Sequence, residues 1–432
     1  MPQSIRNIAV LAHVDAGKTT LSEAMLFTAG EVRRKGKVEE GLATMDYMLE
    51  EKERGITIES GVAHFEWKNT WFNFIDTPGH VDFGAEVDMA LSAVEGAVLV
   101  VSAASGVETQ TVAAFKKLRD AGVRTLLFIN KLDNPDYSLD ETLINIEEIL
   151  GVRPVLMTLP EYKEGKICSV LDILSKSRLV HSENGMEEIG EVDADAAANL
   201  SKHYKEAVEH ASNFDDTVLS MAVEGKAVPP KDLLSGLKKL AANKEYALCY
   251  AGSAMEGFGV RSLLTALSFF LPEVPDFDES RLGQVIRLRH FKGVGEISLF
   301  RSHVNLERKA WPLGFEFSRL RANLLVPVEE IRKGDIYAMR SPSETELGQI
   351  LNLKGMVVAE DEGFKRRYQP LLQTRVECVG NDDFEHVEKS LSVLSRMDPS
   401  FDVEKNDGGY WVLHTVGEVQ LDVLLSRLRR GF

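Results

Sequence analysis

The run Ala12-His-Val-Asp-Ala-Gly-Lys-Thr19 constrains this chain more than any other stretch, because it joins a strand pattern, Asn7 to Ala12, to a helical one, Lys18 to Phe27. A glycine-bearing turn that opens into a helix aims backbone N–H groups and the positive end of the helix dipole at one point. Such a turn is a phosphate cradle. The run matches a phosphate-binding loop except that Ala12 stands at the first glycine. Lys18 is then placed to reach β- and γ-phosphates, and Thr19 to give its hydroxyl to Mg²⁺. His13, Val14, Asp15, Ala16, Gly17 and Thr20 complete the expected lining.

Four further elements follow in order. Thr57, within Arg54-Gly-Ile-Thr-Ile58, precedes a strand pair, where a switch residue would close on Mg²⁺. Asp76-Thr-Pro-Gly79 follows the second strand of that pair: Asp76 can hold the metal shell through water, and the Gly79 N–H can sense a γ-phosphate. Asn130-Lys131-Leu-Asp133 follows a later strand, and a carboxylate there can accept from the N1 and N2 donors of guanine, an edge adenine lacks. Gly252-Ser253-Ala254, after the last strand, can offer a backbone N–H to guanine O6. Taken singly, Lys18 could be a solvated helix start, Asp133 a cap and Ser253 a turn residue. Together the elements point to GTP/GDP with Mg²⁺. His80, beside Gly79, is read as the residue that positions an attacking water. Cys249 is read as core, Trp67 and Trp71 as strand packing, and Arg427, Arg429 and Arg430 as a solvated helix end.

The first third alternates short β-branched strands (Gly96 to Ser102, Thr125 to Asn130) with amphipathic helices (Phe83 to Val94, Thr109 to Ala121), the pattern of a doubly wound α/β sheet. The rhythm changes over about 136–246, which reads as an inserted subdomain, and Ala247 to Tyr250 with Gly259 to Phe270 resume it. The expected architecture is α/β: a P-loop GTPase domain over 1–275, a small β-barrel over 276–358, and a ferredoxin-like α+β domain over 369–432. The last unit reads βαββα, with Asn381 or Asp382 capping its first helix and Asn406-Asp-Gly-Gly409 turning its hairpin. The chain ends at Phe432, where the final strand of that fold should begin, so a shortened chain is expected.

Composition serves mainly to exclude. With 50 Lys+Arg against 67 Asp+Glu, the net charge is −17, which argues against a free-standing coat for nucleic acid or anionic membranes. No apolar run approaches the roughly 20 residues needed to span a bilayer. The N-terminus lacks a secretory pattern, and Cys168, Cys249 and Cys378 have neither metal-ligand nor disulfide spacing. A cytoplasmic protein is expected.

These motifs resemble those of the translational GTPases. Ala12-His-Val-Asp-Ala-Gly-Lys-Thr-Thr20, Glu53-Arg-Gly-Ile-Thr-Ile58, Asp76-Thr-Pro-Gly-His-Val-Asp-Phe83 and Asn130-Lys-Leu-Asp133 are similar to those of elongation factor G and of the tetracycline-resistance ribosomal protection proteins. Pro370-Leu-Leu-Gln-Thr-Arg-Val376 and Val416-Gly-Glu-Val-Gln-Leu421 resemble the family's third domain. The resemblance implies a GTPase stimulated by the ribosome, working as a monomer, with the ribosomal-protection role or a nucleotide-gated binder of little turnover as alternatives. It implies that Thr57 completes the metal shell and His80 orients water. It also implies that Val14 and Ile56 gate that histidine and that Asp15 helps to order the site. Arg33, Arg34 and Arg54 lie near the switch without a match to an arginine finger. The family's fourth and fifth domains have no counterpart in the chain, so translocation and drug release are not expected of it.

Overall fold

The computed structural model describes residues 4–32, 48–182, 185–291, 294–321, 324–361, 370–377, 384–406, 408 and 410–430. The chain divides into two compact units, one of residues 1–45, 64–79 and 94–273, the other of residues 46–63, 80–93 and 274–432.

The first unit is built on a seven-stranded sheet. Its order is Gly61–Trp67, Thr70–Asp76, Ser4–Ala12, Gly96–Ser102, Arg124–Asn130, Tyr246–Ala251, Arg153–Leu156. From Thr70–Asp76 onward every neighbouring pair is parallel. Gly96–Ser102 is buried along its whole length, as a central strand covered on both faces must be. Lys68 and Asn69 turn the first hairpin with φ of +46° and +64°, the left-handed pair that matches strand twist in a two-residue loop. The registers set Ala12 opposite Val100, Asp76 opposite Val10, Asn130 opposite Ser102 and Ala251 opposite Ile129. The carboxyl ends of these strands therefore finish along one edge, where the loops that follow them converge.

Within the stretch expected as an insertion, the helix Leu139–Leu150 leads into Arg153–Leu156, which pairs with Tyr246–Ala251 and forms the edge of this same sheet. A four-residue edge strand carrying Arg153 and Pro154 lacks the apolar signature of a buried strand, so its membership is not legible in sequence. The separate layer is an antiparallel sheet in the order Glu187–Gly190, Ser177–His181, Lys166–Asp172, Thr158–Lys163. The helices Ala194–Ser212, Asp216–Val223 and Pro230–Ala241 follow it.

In the second unit, residues 46–63 and 80–93 group with the C-terminal half of the chain. An antiparallel domain runs from Arg281–Phe291 to Val357–Glu360, its core made by Leu282, Val285, Phe300, Phe317, Tyr337 and Leu351. The final domain has the expected βαββα order: Leu372–Val376, Phe384–Met397, Asp402–Lys405, Trp411–Thr415 and Glu418–Arg429. Its three strands pair antiparallel with Trp411–Thr415 in the middle. Leu424 of the last helix is buried with Leu391, Leu394, Phe401, Trp411 and Leu413, and Leu421, Leu425 and Leu428 pack against them. Asn381, Asp382, Asp407 and Gly409, read as cap and turn, lie outside the described residues. Among the described residues no helix is long and apolar enough to cross a membrane.

Candidate nucleotide-binding site

The loop after Ser4–Ala12 turns into the helix Lys18–Thr28 through Gly17, whose φ is +90°. A Cβ at Gly17 would fall 2.3 Å from Asn130 Nδ2, so glycine is required both by the backbone and by that neighbour. The first helical bond runs from the Leu21 N–H to the Gly17 carbonyl at 2.9 Å, and the amides before it face the helix's N-terminal end. Thr19 and Thr20 are half-buried on this first turn, Ala16 is buried, and Asp15 is exposed with φ of +62°.

Lys18 Nζ lies 2.8 Å from Asp76 Oδ1 and 3.5 Å from Thr19 Oγ1. Ser22 Oγ also donates to Asp76 Oδ1, at 2.9 Å. Asp76 is fully buried, and its Oδ2 has no hydrogen-bond partner among the described residues. A buried carboxylate oxygen of that kind costs about 1–3 kcal/mol unless a donor reaches it. The hydration shell of a Mg²⁺ ion on Thr19 supplies such a donor, so these residues fit the metal. Gly79 lies against the loop: a Cβ there would be 3.5 Å from the Ala12 carbonyl oxygen and 3.6 Å from Val14 N.

Asn130 ties the site together. Its Nδ2 donates to the Ala16 carbonyl and its Oδ1 accepts from the Ala254 N–H, both at 2.8 Å. One side chain thus fixes the phosphate loop to the loop expected to read the base. Ser253 Oγ donates to Asp133 Oδ1 at 2.6 Å, and Asp133 Oδ2 accepts no hydrogen bond from the described residues. Lys131 takes φ of +67° between these two anchors. The Gly252 N–H donates to the Ile129 carbonyl and the Ser253 N–H to the Phe258 carbonyl. With Ala254 given to Asn130, all three amides of the expected O6 reader are engaged.

The strand-end placement also brings in residues that the motifs do not name. Gln110 Oε1 accepts from the Val14 N–H at 3.1 Å. His13 is buried, with Nδ1 3.3 Å from Thr111 Oγ1 and Nε2 3.2 Å from Ser105 Oγ. Burial holds its pKa below the usual histidine value despite Glu108, so it is a neutral wedge under the loop. A cleft of about 740 Å³ opens beside these groups, lined by His13, Val14, Asp15, Ser105, Gln110 and Lys131. Its volume suits a small-molecule ligand.

Thr57 and His80 belong to the second unit. Thr57 is buried, and the chain around it is held by Glu51, whose Oε1 accepts from the Ile58 and Glu59 N–H groups at 3.0 Å. His80 starts a single 3₁₀ turn, Val81–Phe83, and its Nδ1 accepts from the Asp82 N–H at 3.3 Å. The proton of a neutral His80 is then on Nε2. The Asp82 carboxylate accepts from the Val419 and Gln420 N–H groups at 3.0 and 3.3 Å, capping the helix Glu418–Arg429. A Cβ at Gly417 would come within 2.3 Å of both Asp82 oxygens, so glycine admits the carboxylate there. Buried Arg287 pairs with Glu86 at 2.7 Å and Glu59 at 3.0 Å, and Arg427 meets Glu59 at 2.9 Å. Arg430 pairs with Glu50 and Glu53. The sequence reading of a solvated helix end is therefore corrected for Arg427, which is half-buried against Glu59, while Arg430 is exposed as expected, although paired with acids. Ile56 packs in a cluster with Ile58, Phe83, Val419 and Val423. Arg54 lies 3.6 Å from Asp422, and Arg33 and Arg34 fall outside the described residues.

Comparisons with known proteins show the family of the chain. Residues 3–273 match the Elongation factor Tu GTP binding domain, and residues 369–432 match Elongation Factor G, domain III. Elongation factor G 2 of Geobacter metallireducens is 32% identical, and Elongation factor G of Mycoplasma pneumoniae 30%; each alignment covers 99% of this chain and 67% of the relative. A crystal structure from Thermus thermophilus superposes with a TM-score of 0.88 at 25% identity, over 99% of this chain and 66% of that one. The chain thus spans about two thirds of the length of the proteins it matches.

Proposed function

The chain belongs to the translational GTPases of the elongation factor G type, and on that premise we propose that it hydrolyses GTP to GDP and phosphate in response to the ribosome, in the cytoplasm, as a monomer. The observation that carries this reading is the double hydrogen bond of Asn130, which holds a phosphate loop and a guanine-reading loop in one frame. His13 to Thr20 would line the phosphates, with Lys18 exchanging Asp76 for phosphate oxygens. Asp133 would take the N1 and N2 donors of guanine, beside Lys131, and Gly252 to Ala254 would face O6. The Thr19 and Thr57 hydroxyls would hold Mg²⁺, with Asp76 acting through water, and the ion would supply charge neutralisation on the phosphates. The Gly79 N–H would meet the γ-phosphate, and His80 would present Nε2 to the attacking water, Nδ1 being engaged by Asp82.

Phosphoryl transfer leaves little covalent work to the protein, so positioning and charge carry the rate. Order imposed by the γ-phosphate on residues 46–63 and 80–93 would pass to the C-terminal domains through Glu59, Glu86 and Asp82, and hydrolysis would release it.

Phosphate release in the presence of 70S ribosomes tests the assignment of His80. His80→Ala is expected to slow it by about a hundredfold or more while GTP binding changes by less than about threefold, the scale for losing one positioned catalytic group. Full ribosome-stimulated turnover in His80→Ala would remove the histidine from the chemistry.

A further inference from the structure

The inserted antiparallel sheet reaches the loop assigned to guanine through two carboxylates. Glu187, on the edge strand Glu187–Gly190, is 4% exposed, and its side chain accepts from the Gly259 N–H at 2.8 Å and the Arg261 N–H at 2.9 Å. The Arg261 guanidinium returns a bond to the Glu187 carbonyl. Asp172, at the end of Lys166–Asp172, accepts from Ser262 Oγ at 2.5 Å. Both acids therefore sit on the first turn of the helix Val260–Phe270, where negative charge is favoured. His181, paired with Glu187 across the sheet, stacks its ring on Phe258 at 3.8 Å.

The gripped Gly259 adjoins Phe258, whose carbonyl is bonded to the base loop. The Phe258 carbonyl accepts from the Ser253 N–H at 3.1 Å, and the Ser253 hydroxyl in turn fixes Asp133. Gly252 is pressed onto the same segment: a Cβ there would fall 2.1 Å from the Phe258 oxygen. Gly259 takes φ of +82°, and a Cβ on it would lie 2.8 Å from the Ala251 carbonyl oxygen. With no space between the two backbones, displacement of Phe258–Arg261 must displace Gly252–Ala254 as well.

We propose that Glu187 is a positioning residue for guanine recognition, through which the inserted sheet sets how long the nucleotide stays bound. The inference rests on the reading of Asp133 and Gly252 to Ala254 as the base site. It gives the insertion a part in nucleotide binding although none of its residues touches the base loop's motifs in sequence. Burial raises the Glu187 carboxyl to about 7, against the opposing pull of the two N–H donors and Arg261, with Asp172 adding to the rise. As pH falls through that value the carboxylate gains a proton and one of its two acceptor oxygens is compromised. The charged or titratable groups facing it are Arg261, Asp172 and His181.

The test is the dissociation rate of a fluorescent GDP analogue from the whole chain, measured between pH 6 and 8, with GTP turnover on ribosomes alongside. Glu187→Ala is expected to speed dissociation about tenfold, the loss of a charge-assisted hydrogen-bond pair, and to raise KM for GTP with kcat unchanged. Glu187→Gln keeps one acceptor, so it should restore part of the lifetime and flatten the rise in dissociation that the unaltered chain shows below pH 7. If Glu187→Ala does not fold, Glu187→Gln and the pH profile decide the matter. Unchanged dissociation and an unchanged pH profile in Glu187→Gln would overturn the proposal, as would a fall in kcat at constant KM in Glu187→Ala. Failure of the unaltered chain to bind guanine nucleotide at all would instead overturn the functional reading beneath it.

Discussion

Replacing Asp133 by asparagine is expected to lower affinity for GTP by about a hundredfold or more and to raise affinity for xanthosine triphosphate, because a buried polar edge discriminates by what it leaves unpaired. A carboxylate offers only acceptors, which suits the N1 and N2 donors of guanine. Ser253 Oγ donates to Oδ1 at 2.6 Å, so in the variant the amide oxygen should keep that bond and the amide nitrogen should turn to the base. A donor would then face the guanine amino group. Xanthine carries a carbonyl at that position and would accept from it. Equilibrium competition with the two nucleotides measures the exchange, and a folded Asp133→Asn chain with unchanged GTP affinity would remove Asp133 from the base site.

Arg287→Ala is expected to cost about 3–5 kcal/mol of stability, the range for removing one partner from a buried ion pair. Arg287 is 5% exposed, and its guanidinium donates to Glu86 and to the Ser60 carbonyl besides pairing with Glu59. Its loss would leave Glu86 buried without its main counter-charge, whereas Glu59 would keep Arg427 at 2.9 Å. Burial already raises the Glu86 carboxyl, with Arg287 opposing the rise, so removal of the arginine must raise it further. A group whose folded pKa is raised contributes most below its unfolded pKa and loses that contribution as pH climbs through the folded one. The deficit of Arg287→Ala should therefore be largest above neutrality and shrink as pH falls toward 5. Denaturant melts at pH 8 and pH 5 would show it. A deficit below about 1 kcal/mol, or one that does not change with pH, would mean that the pair is worth no more than a surface salt bridge.

These two substitutions also mark what sequence can and cannot disclose. The nucleotide loops are legible because each is a short-range device. Gly17 must take a positive φ, Lys18 must open a helix, and Asn130 to Asp133 must follow a strand, so residue type and spacing carry the information. Parallel strand pairing then brings their carboxyl ends to one edge without any further signal. Arg287, Glu59 and Glu86 have no such local mark. Nothing near Arg287 distinguishes it from a solvated strand arginine, and its partners lie more than two hundred residues earlier. Asp82 stands inside a recognisable motif, yet its role as cap for Glu418–Arg429 depends on a contact 337 residues away. Glu187 sits on a short polar strand whose outward appearance gives no hint that its carboxylate is buried on a helix start. Arg427 misleads for the same reason. It fits a solvated helix end by position, and only the fold shows that Glu59 meets it.

The most direct measurement is phosphate release from GTP by this chain, with and without purified 70S ribosomes. Slow turnover by the chain alone is expected, because no arginine motif matches the finger role. A large stimulation by ribosomes is the predicted result, and it would establish a GTPase whose trigger lies outside its own chain. Tight GTP binding with turnover unchanged by ribosomes would contradict the account and leave a nucleotide-gated binding protein in its place.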